Sequence, residues 1–223
     1  TMKVPMSWLQ AMVNLPDGTT TDEVARALTN HTATVEKVEV VGGELTGPIV
    51  IGHILSSVPE PQKNGKIINW CRVDVGPRYN AEGHPKNIAE GTEGRGIVCG
   101  APNAVEGAWV VVSLPGAVLP GGFAISARKT YGHMSDGMLC ASDELGIGVY
   151  EPGIITLPPS VEGHQLVPGE NALPILGVPE QVLDVDVTPD IGYCISMRGL
   201  AREGADAMSV HFRDPYDEEP IAA

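Results

Sequence analysis

The chain has 223 residues, 43% hydrophobic and 19% charged, so it can bury the core of one large or two small domains. Its formal net charge of −14 disfavours long-range attraction to a phosphate backbone, so no DNA partner is expected and any contact with nucleic acid must depend on a local basic cluster. The sequence has no apolar run of about 20 residues and no secretory signal, which predicts a soluble, cytoplasmic protein without a membrane partner.

Two short amphipathic helices are predicted in the first 40 residues. Ser7 with Gln10 fits the capping box, in which the first side chain accepts from a backbone amide and the second reaches back. Thr20 with Glu23 fits the same pattern, and apolar residues follow both boxes at helical spacing. The Pro and Gly of segment 14–18 place a turn between the two helices.

Five short strands are predicted where β-branched runs alternate with Gly and Pro. They cover residues 49–55, 67–75, 96–99, 109–114 and 123–131. Five short strands are what a partly open Greek-key barrel of the oligonucleotide-binding (OB) type requires. In the second strand, alternation turns Trp70 and Arg72 outward and Cys71 inward. Segment 76–96 is too rich in turn residues for a strand and shows no helical periodicity, which predicts a mobile loop.

After residue 155 the chain becomes a Pro-rich connector. A strand follows over 183–187, where apolar and acidic residues alternate, and then a helix over 196–205. Residues 214–223 are acidic and contain Pro, without a cap or a closing strand. This pattern predicts that residues 201–223 are the truncated start of a following domain.

No catalytic residue and no metal site is predicted. The Gly-rich segment 91–96 lacks the Lys and Ser/Thr of a phosphate-binding P-loop, which favours a flexible loop. Ser135 has His133 and Asp136 beside it, but residues so close in sequence rarely reach triad geometry, so a turn is predicted. The six histidines fall singly, and the four cysteines, none in a Cys-x-x-Cys pair, are predicted to be reduced thiols.

Three carboxylates near the end of the predicted last strand have two interpretations. Asp184 and Asp186 lie on one face of a strand, about 7 Å apart, so that with Asp190 they would fit an acid/base or cation site. The alternative is a solvated strand face, or carboxylates that pair with arginines such as Arg198 and Arg202. The second interpretation is favoured.

Several segments stand out as motifs. They are Ile-Val-Cys-Gly-Ala-Pro-Asn at 97–103, Leu-Pro-Gly-Ala-Val-Leu-Pro-Gly-Gly at 114–122, Ser-Asp-Gly-Met-Leu-Cys at 135–140, Glu-Leu-Gly at 144–146, the opening Met-Lys-Val-Pro-Met-Ser-Trp-Leu at 2–9, Asp-Val-Thr-Pro at 186–189 and Gly-Leu-Ala-Arg-Glu at 199–203. Together they resemble the tRNA-binding barrel and flanking regions of the bacterial phenylalanyl-tRNA synthetase beta subunit. The match runs in the family's order to about residue 205.

The resemblance implies an α+β fold with an inserted all-β barrel. Residues 1–41 and 156–200 would form one small discontinuous α+β domain, and residues 42–155 the five-stranded OB barrel inserted into it. Trp8, Leu9, Val13 and Leu28 would then pack against Val185 and Leu200, since neither piece has enough apolar residues to close a core alone.

The parent enzyme of this family joins phenylalanine to its tRNA with ATP and Mg²⁺, and works as a tetramer of two alpha and two beta chains. The resemblance therefore implies two partners, tRNA and an alpha subunit. The fragment itself would need no cofactor and carry no activity, because the aminoacylation site of the family lies on the alpha subunit.

Candidate tRNA contacts are basic, aromatic or polar residues of the predicted barrel. They are Lys66, Trp70, Arg72, Asn103, Arg128, Lys129 and Ser135. Residues 42–155 carry eight basic and eleven acidic side chains, which predicts weak and salt-dependent binding.

Two departures from the family pattern qualify the resemblance. Stretch 59–69 is less basic than its counterpart, and Thr188-Pro189 continues as Asp-Ile-Gly-Tyr instead of Asn-Arg-x-Asp, at a place that can affect a subunit contact. Two alternatives stay open: a structural or protein-interaction module that braces the tetramer without touching RNA, and a free-standing tRNA-binding barrel.

Overall fold

The computed structural model describes residues 1–89 and 93–218. None of the helices in these two ranges is long and apolar enough to span a bilayer. The α-helices are α1 (Met6–Met12), α2 (Thr21–His31), α3 (Gly76–Ala81), α4 (Pro85–Ala89), α5 (Ala172–Ile175), α6 (Met197–Met208) and α7 (Pro215–Glu218), with 3₁₀ segments at Pro120–Gly122 and Pro189–Ile195.

The strands are numbered in chain order. They are β1 (Met2–Pro5), β2 (Thr34–Val41), β3 (Ile49–Pro61), β4 (Ile67–Asp74), β5 (Arg95–Cys99), β6 (Trp109–Ser113), β7 (Val118–Leu119), β8 (Phe123–Ala124), β9 (Arg128–Thr130), β10 (His133–Ser135), β11 (Met138–Leu139), β12 (Thr156–Leu157), β13 (Ser160–Val161), β14 (His164–Gln165) and β15 (Glu180–Asp186). The chain divides into two compact units, Thr1–Val41 with the segment from Pro179 onward, and Gly42–Val178. The fold is a mixture of α-helices and antiparallel sheets, as the α+β prediction requires.

The first unit is built on a three-stranded antiparallel sheet in the order β1–β15–β2. β15 lies in the middle, so that Leu183 faces Val4 of β1 on one side and Val38 of β2 on the other. The alternation read from the sequence puts Leu183 and Val185 in the core, where both side chains are 0% exposed. The strand predicted over 183–187 is confirmed as part of β15.

One of the two predicted helix caps is present. At the start of α2, Thr20 Oγ1 accepts from the Glu23 amide at 3.2 Å, and the Glu23 carboxylate accepts from the Thr20 amide at 2.7 Å. The prediction of a cap at Ser7 is wrong, because α1 already begins after Pro5 and no side chain caps it. The helix predicted over 196–205 is confirmed as α6.

The core of the first unit contains the side chains predicted to meet there, with one exception. Those confirmed are Leu9, Val13, Leu28, Val185 and Leu200. The prediction that Trp8 is buried is wrong, since this residue is 60% exposed. α1 is only seven residues long, and successive residues on a helix point about 100° apart, so the face that buries Leu9 turns Trp8 to solvent.

Two observed boundaries differ from the predicted ones. Residues 156–178 lie in the second unit, where β12 pairs with β6 and Asn171 forms a bridge with Val50. Residues 201–218 lie in the first unit instead of starting another domain. Most of α6 falls in this stretch and packs into the core, and the amide of Arg213 donates to the Met12 carbonyl at 2.7 Å.

The second unit centres on an antiparallel sheet in the order β11–β6–β3–β4–β5, with β12 also paired to β6. Its inner face carries side chains such as Ile54, Cys71, Val73 and Ile97, all 0% exposed. Four predicted strands are confirmed here as β3, β4, β5 and β6. Within the described residues the sheet stays open, and a closed five-stranded barrel is not observed.

The fifth predicted strand, 123–131, is broken into two pieces. β8 pairs with β7, and β9 pairs with β10, so the pieces belong to two separate hairpins. Ile125, between them, is 7% exposed, and its amide donates to the Ala117 carbonyl at 2.9 Å. This bond extends the β7–β8 register by one residue, so Ile125 belongs to the first hairpin and the chain then leaves for the second.

Segment 76–96 is more ordered than predicted in the part that the structure describes. It forms α3 and α4, and the carboxylate of Asp136 anchors it through a hydrogen bond and an ion pair. Asp136 Oδ2 accepts from the His84 amide at 2.5 Å, and Oδ1 lies 3.4 Å from Arg95 Nη1. Arg95 Nε in turn donates to the Tyr79 carbonyl at 2.8 Å. Of the Gly-rich segment 91–96, residues 91 and 92 lie outside the described residues.

Candidate nucleic-acid interface

The hairpin formed by β9 and β10 lies over the outer face of β4. The rings of Trp70 and His133 stack with centroids 4.1 Å apart and planes 13° apart. His133 Nε2 lies 2.8 Å from a carboxylate oxygen of Glu60, which fixes the imidazole over the indole. Gly96 leaves room for the indole of Trp70, because a Cβ at this position would come within 2.2 Å of Trp70 Cη2. The indole proposed as a stacking surface is therefore packed against its own chain.

Arg72 is covered, in contrast to the outward, accessible position predicted for it. The residue is 8% exposed, and its guanidinium carbon lies 5.2 Å from the centroid of the Trp70 ring. Alternation along β4 does put Arg72 and Trp70 on the outer face, but the β9–β10 hairpin covers that face. Arg72 thus contributes to the packing around Trp70.

Asn103 and Ser135 bind backbone groups of their own chain. Asn103 holds both polar atoms of Ile154, donating to its carbonyl at 2.8 Å and accepting from its amide at 3.0 Å. Ser135 is 6% exposed; its hydroxyl accepts from the Val98 amide at 3.0 Å and donates to the Gly137 carbonyl at 3.2 Å. Both side chains hold loops of their own chain in place, and this structural role requires no ligand.

Arg128 and Lys129 are the exposed basic residues of the β9–β10 hairpin. In the hairpin register Arg128 faces Ser135 and Lys129 faces Met134. Among the described residues no carboxylate lies within ion-pair distance of either cation. Lys66 is also exposed, at the turn between β3 and β4, where its amide donates to Asn64. These three side chains are the predicted contacts that remain accessible to a ligand.

Phe123 is a feature of this surface that the sequence reasoning missed. Its side chain is 47% exposed, and the guanidinium carbon of Arg128 lies 5.6 Å from its ring centroid. The signal was present: an aromatic residue stands five positions before the Arg-Lys pair, and the chain has only two Phe. The predicted strand over 123–131 concealed it, because a continuous strand would carry Phe123 far from Arg128.

A small cavity opens beside Phe123 and Arg128. Its volume is about 160 Å³, and its lining is mostly apolar. The residues around it come from β5, β8, β9, β10 and β11 and the turns between them: Val98, Phe123, Ile125, Ser126, Arg128, Thr130, Ser135, Gly137 and Met138. The cavity therefore lies where the hairpin meets the sheet.

The neighbours Ser135, His133 and Asp136 do not act together. His133 binds Glu60, Ser135 binds backbone, and Asp136 binds Arg95 and the His84 amide. The predicted turn is instead the strand β10 up to Ser135. The three side chains have structural partners and form no triad.

The carboxylates near β15 follow neither interpretation fully. Asp184 pairs with Lys3 at 2.8 Å, and this hydrogen bond lowers the pKa of Asp184. Arg198 and Arg202 instead bind Asp214. In residues 1–89 and 93–218 no group of three His, Cys, Asp or Glu side chains is placed to hold a metal ion.

Comparison with known proteins identifies the family. No protein-family model matches the chain. The chain is 93% identical over 220 residues to the phenylalanine–tRNA ligase beta subunit of Cutibacterium acnes, which covers 99% of this chain and 26% of that protein. The corresponding subunit of Thermobifida fusca is 51% identical over 214 residues, covering 96% and 24%, and that of Bifidobacterium longum 43% over 216 residues, covering 95% and 24%.

The chain thus spans about a quarter of the length of the curated relatives it matches. The resemblance deduced from the motifs is confirmed by identity along almost every residue. By sequence, the chain is homologous to about a quarter of the phenylalanine–tRNA ligase beta subunit.

Proposed function

We propose that the chain is a non-catalytic tRNA-binding and assembly segment of a phenylalanine–tRNA ligase. Its parent would attach phenylalanine to tRNA with ATP and Mg²⁺, in the cytoplasm, together with an alpha subunit in a two-alpha two-beta tetramer. The printed names of the relatives support the ligase and the beta subunit. The role within that enzyme is argued from the second unit.

The observation that carries the proposal is the pair of exposed cations on the β9–β10 hairpin. Arg128 and Lys129 are adjacent, and no described carboxylate neutralises them. Residues 42–155 are acidic on balance, with eleven acidic against eight basic side chains, the pair included. An isolated pair of free cations in an acidic surrounding favours a local, salt-sensitive contact with phosphate.

We assign the second unit to the OB class as part of this proposal. The support is the antiparallel sheet of β3, β4, β5 and β6 and the hairpin lying across its outer face. OB modules bind single-stranded nucleic acid on such a surface, with cations along the backbone and aromatic rings under the bases. Lys66, at the turn that begins β4, would extend the cationic track.

A second candidate is a structural module that braces the tetramer without touching RNA. The observation in its favour is that Trp70, Arg72, Asn103 and Ser135 all bind their own chain. A free-standing tRNA-binding barrel, the third alternative, has less support because the chain matches its relatives through both units.

The test is the salt dependence of tRNA binding. Dissociation constants of the chain for a tRNA transcript specific for phenylalanine are measured from 50 to 200 mM salt. Replacing Arg128 and Lys129 together by Ala should weaken binding and reduce the slope of log K against log salt by about one to two units. The matched control replaces Arg26 and Lys86, also one exposed Arg and one exposed Lys, and should leave the slope unchanged. Equal slopes for all three proteins would favour the structural module.

A further inference from the structure

The cavity beside Phe123 is too small for most ligands. At about 160 Å³ it lies well below the roughly 300–1,000 Å³ of pockets that hold drug-sized molecules. Its walls are mainly apolar; the hydroxyls of Ser126, Thr130 and Ser135 also line it, and that of Ser135 is committed to the Val98 amide and the Gly137 carbonyl. It suits one flat apolar group that needs few hydrogen bonds.

The rim of the cavity has the chemistry of a stacking site. Phe123 is 47% exposed, and Arg128 lies over its ring at 5.6 Å, so an aromatic plane and a guanidinium plane meet at the opening. Aromatic rings and guanidinium groups both bind nucleobases by stacking, largely independent of base identity. Lys129, on the next residue, adds a cation that attracts the phosphates on either side of such a base.

From this arrangement we propose that the cavity holds one unpaired nucleobase of RNA, stacked on Phe123 and flanked by Arg128. This inference rests on the proposed function and adds a base-contacting residue, Phe123, to the phosphate contacts of Arg128 and Lys129. Because stacking on an aromatic ring depends little on which base is present, the site selects an unpaired base and not a particular one.

The charge of the surface decides between nucleic acid and other occupants. A phosphate backbone is complementary to two cations that have no acidic partner among the described residues. A nucleotide carries the flat base and the adjacent phosphates in every unit, whereas an acidic peptide would need an aromatic side chain placed among its carboxylates to fill the same site. The arrangement therefore favours a single-stranded part of an RNA.

The experiment uses the purified chain and two probes of equal charge. One is a ten-nucleotide oligouridylate, and the other is the same ribose-phosphate chain without bases. The unmodified protein should bind oligouridylate more tightly, and Phe123→Ala should remove about tenfold of this preference while keeping the same salt slope, because no charge is changed. Phe123→Trp should keep the preference. The emission that this new Trp adds to that of the three native Trp residues should be quenched by oligouridylate and not by the abasic chain.

Phe123→Leu controls for loss of apolar packing and should resemble Phe123→Ala. A protein that binds neither probe would refute the proposed function, and this inference with it. A protein that binds both probes equally, or a Phe123→Ala variant that keeps the full preference, would overturn the stacking site alone and leave the phosphate contacts of Arg128 and Lys129 standing.

Discussion

The imidazole of His133 lies flat on the indole of Trp70, with ring centroids 4.1 Å apart. This stack joins the β9–β10 hairpin to β4, and Glu60 on β3 holds the imidazole from the side at 2.8 Å. Together with the bond from the Val98 amide to the Ser135 hydroxyl, the stack positions the hairpin that carries Arg128 and Lys129.

Replacing His133 by Ala should lower the free energy of unfolding by about 1 to 2 kcal/mol, because a stacked aromatic pair and a hydrogen bond to a carboxylate are both lost. The control is His164→Ala. His164 also lies 2.8 Å from a carboxylate, that of Glu170, but it is more exposed and the stacks found involve other histidines. Urea denaturation measures the free energy of unfolding of both variants. Equal losses would mean that the stack on Trp70 contributes nothing.

Replacing Gly96 by Ala should be destabilising by about 1 to 3 kcal/mol, because the new Cβ would come within 2.2 Å of Trp70 Cη2 and force the indole to move. Gly100→Ala is the matched control, since a Cβ at Gly100 has nothing within 4 Å. Tryptophan fluorescence and urea denaturation report on the two variants. A Gly96→Ala protein with unchanged emission and stability would contradict the close packing of Trp70 on β5.

Replacing Asp136 by Asn should cost about 3 to 5 kcal/mol, since it leaves the guanidinium of Arg95 buried without its carboxylate. Limited proteolysis should then cut within α3 or α4, because the His84 amide also loses a charged acceptor. The exposed pair of Arg78 and Glu82 gives the comparison: Glu82→Gln should cost about 0.5 kcal/mol or less. Similar effects of the two substitutions would show that Asp136 does not anchor the segment.

The buried thiols should make stability fall in alkali. Burial raises the pKa of Cys99 to about 11 and that of Cys140 to about 12, from the ordinary thiol value of 9.0. The folded state therefore keeps protons that the unfolded state loses. The contribution of these two thiols to the free energy of unfolding is constant below about pH 8 and declines as pH rises from 9 toward 11. Urea midpoints from pH 7 to 10.5 should fall less steeply for a Cys99→Ala, Cys140→Ala protein. Parallel curves would show that these thiols ionise equally in both states.

The features predicted correctly from sequence are local. The Thr20 and Glu23 cap needs only residues three apart, and the alternation in β15 needs only its own side chains and a core to face. The motif resemblance also held, since it compares the chain with relatives residue by residue.

The features predicted wrongly depend on distant parts of the chain. Arg72 is buried by a hairpin more than 50 residues later, and Asp136 orders a segment some 50 residues before it, which looked like a mobile loop by composition. Strand 123–131 is broken because its two pieces pair with different segments, β7 and β10. Alternation tells which face of a strand a side chain takes, but not what covers that face.

The strand order of the first unit also dictates when it can form during synthesis. β15, the central strand, is made last, and until residues 180–186 leave the ribosome β1 and β2 have no strand to join them. The second unit, from Gly42 to Val178, is complete before that moment. A domain usually folds in the order in which it is translated. Here the N-terminal segment must wait as an unpaired, amphipathic strand and helix set, so the first unit becomes native only after the inserted unit is complete.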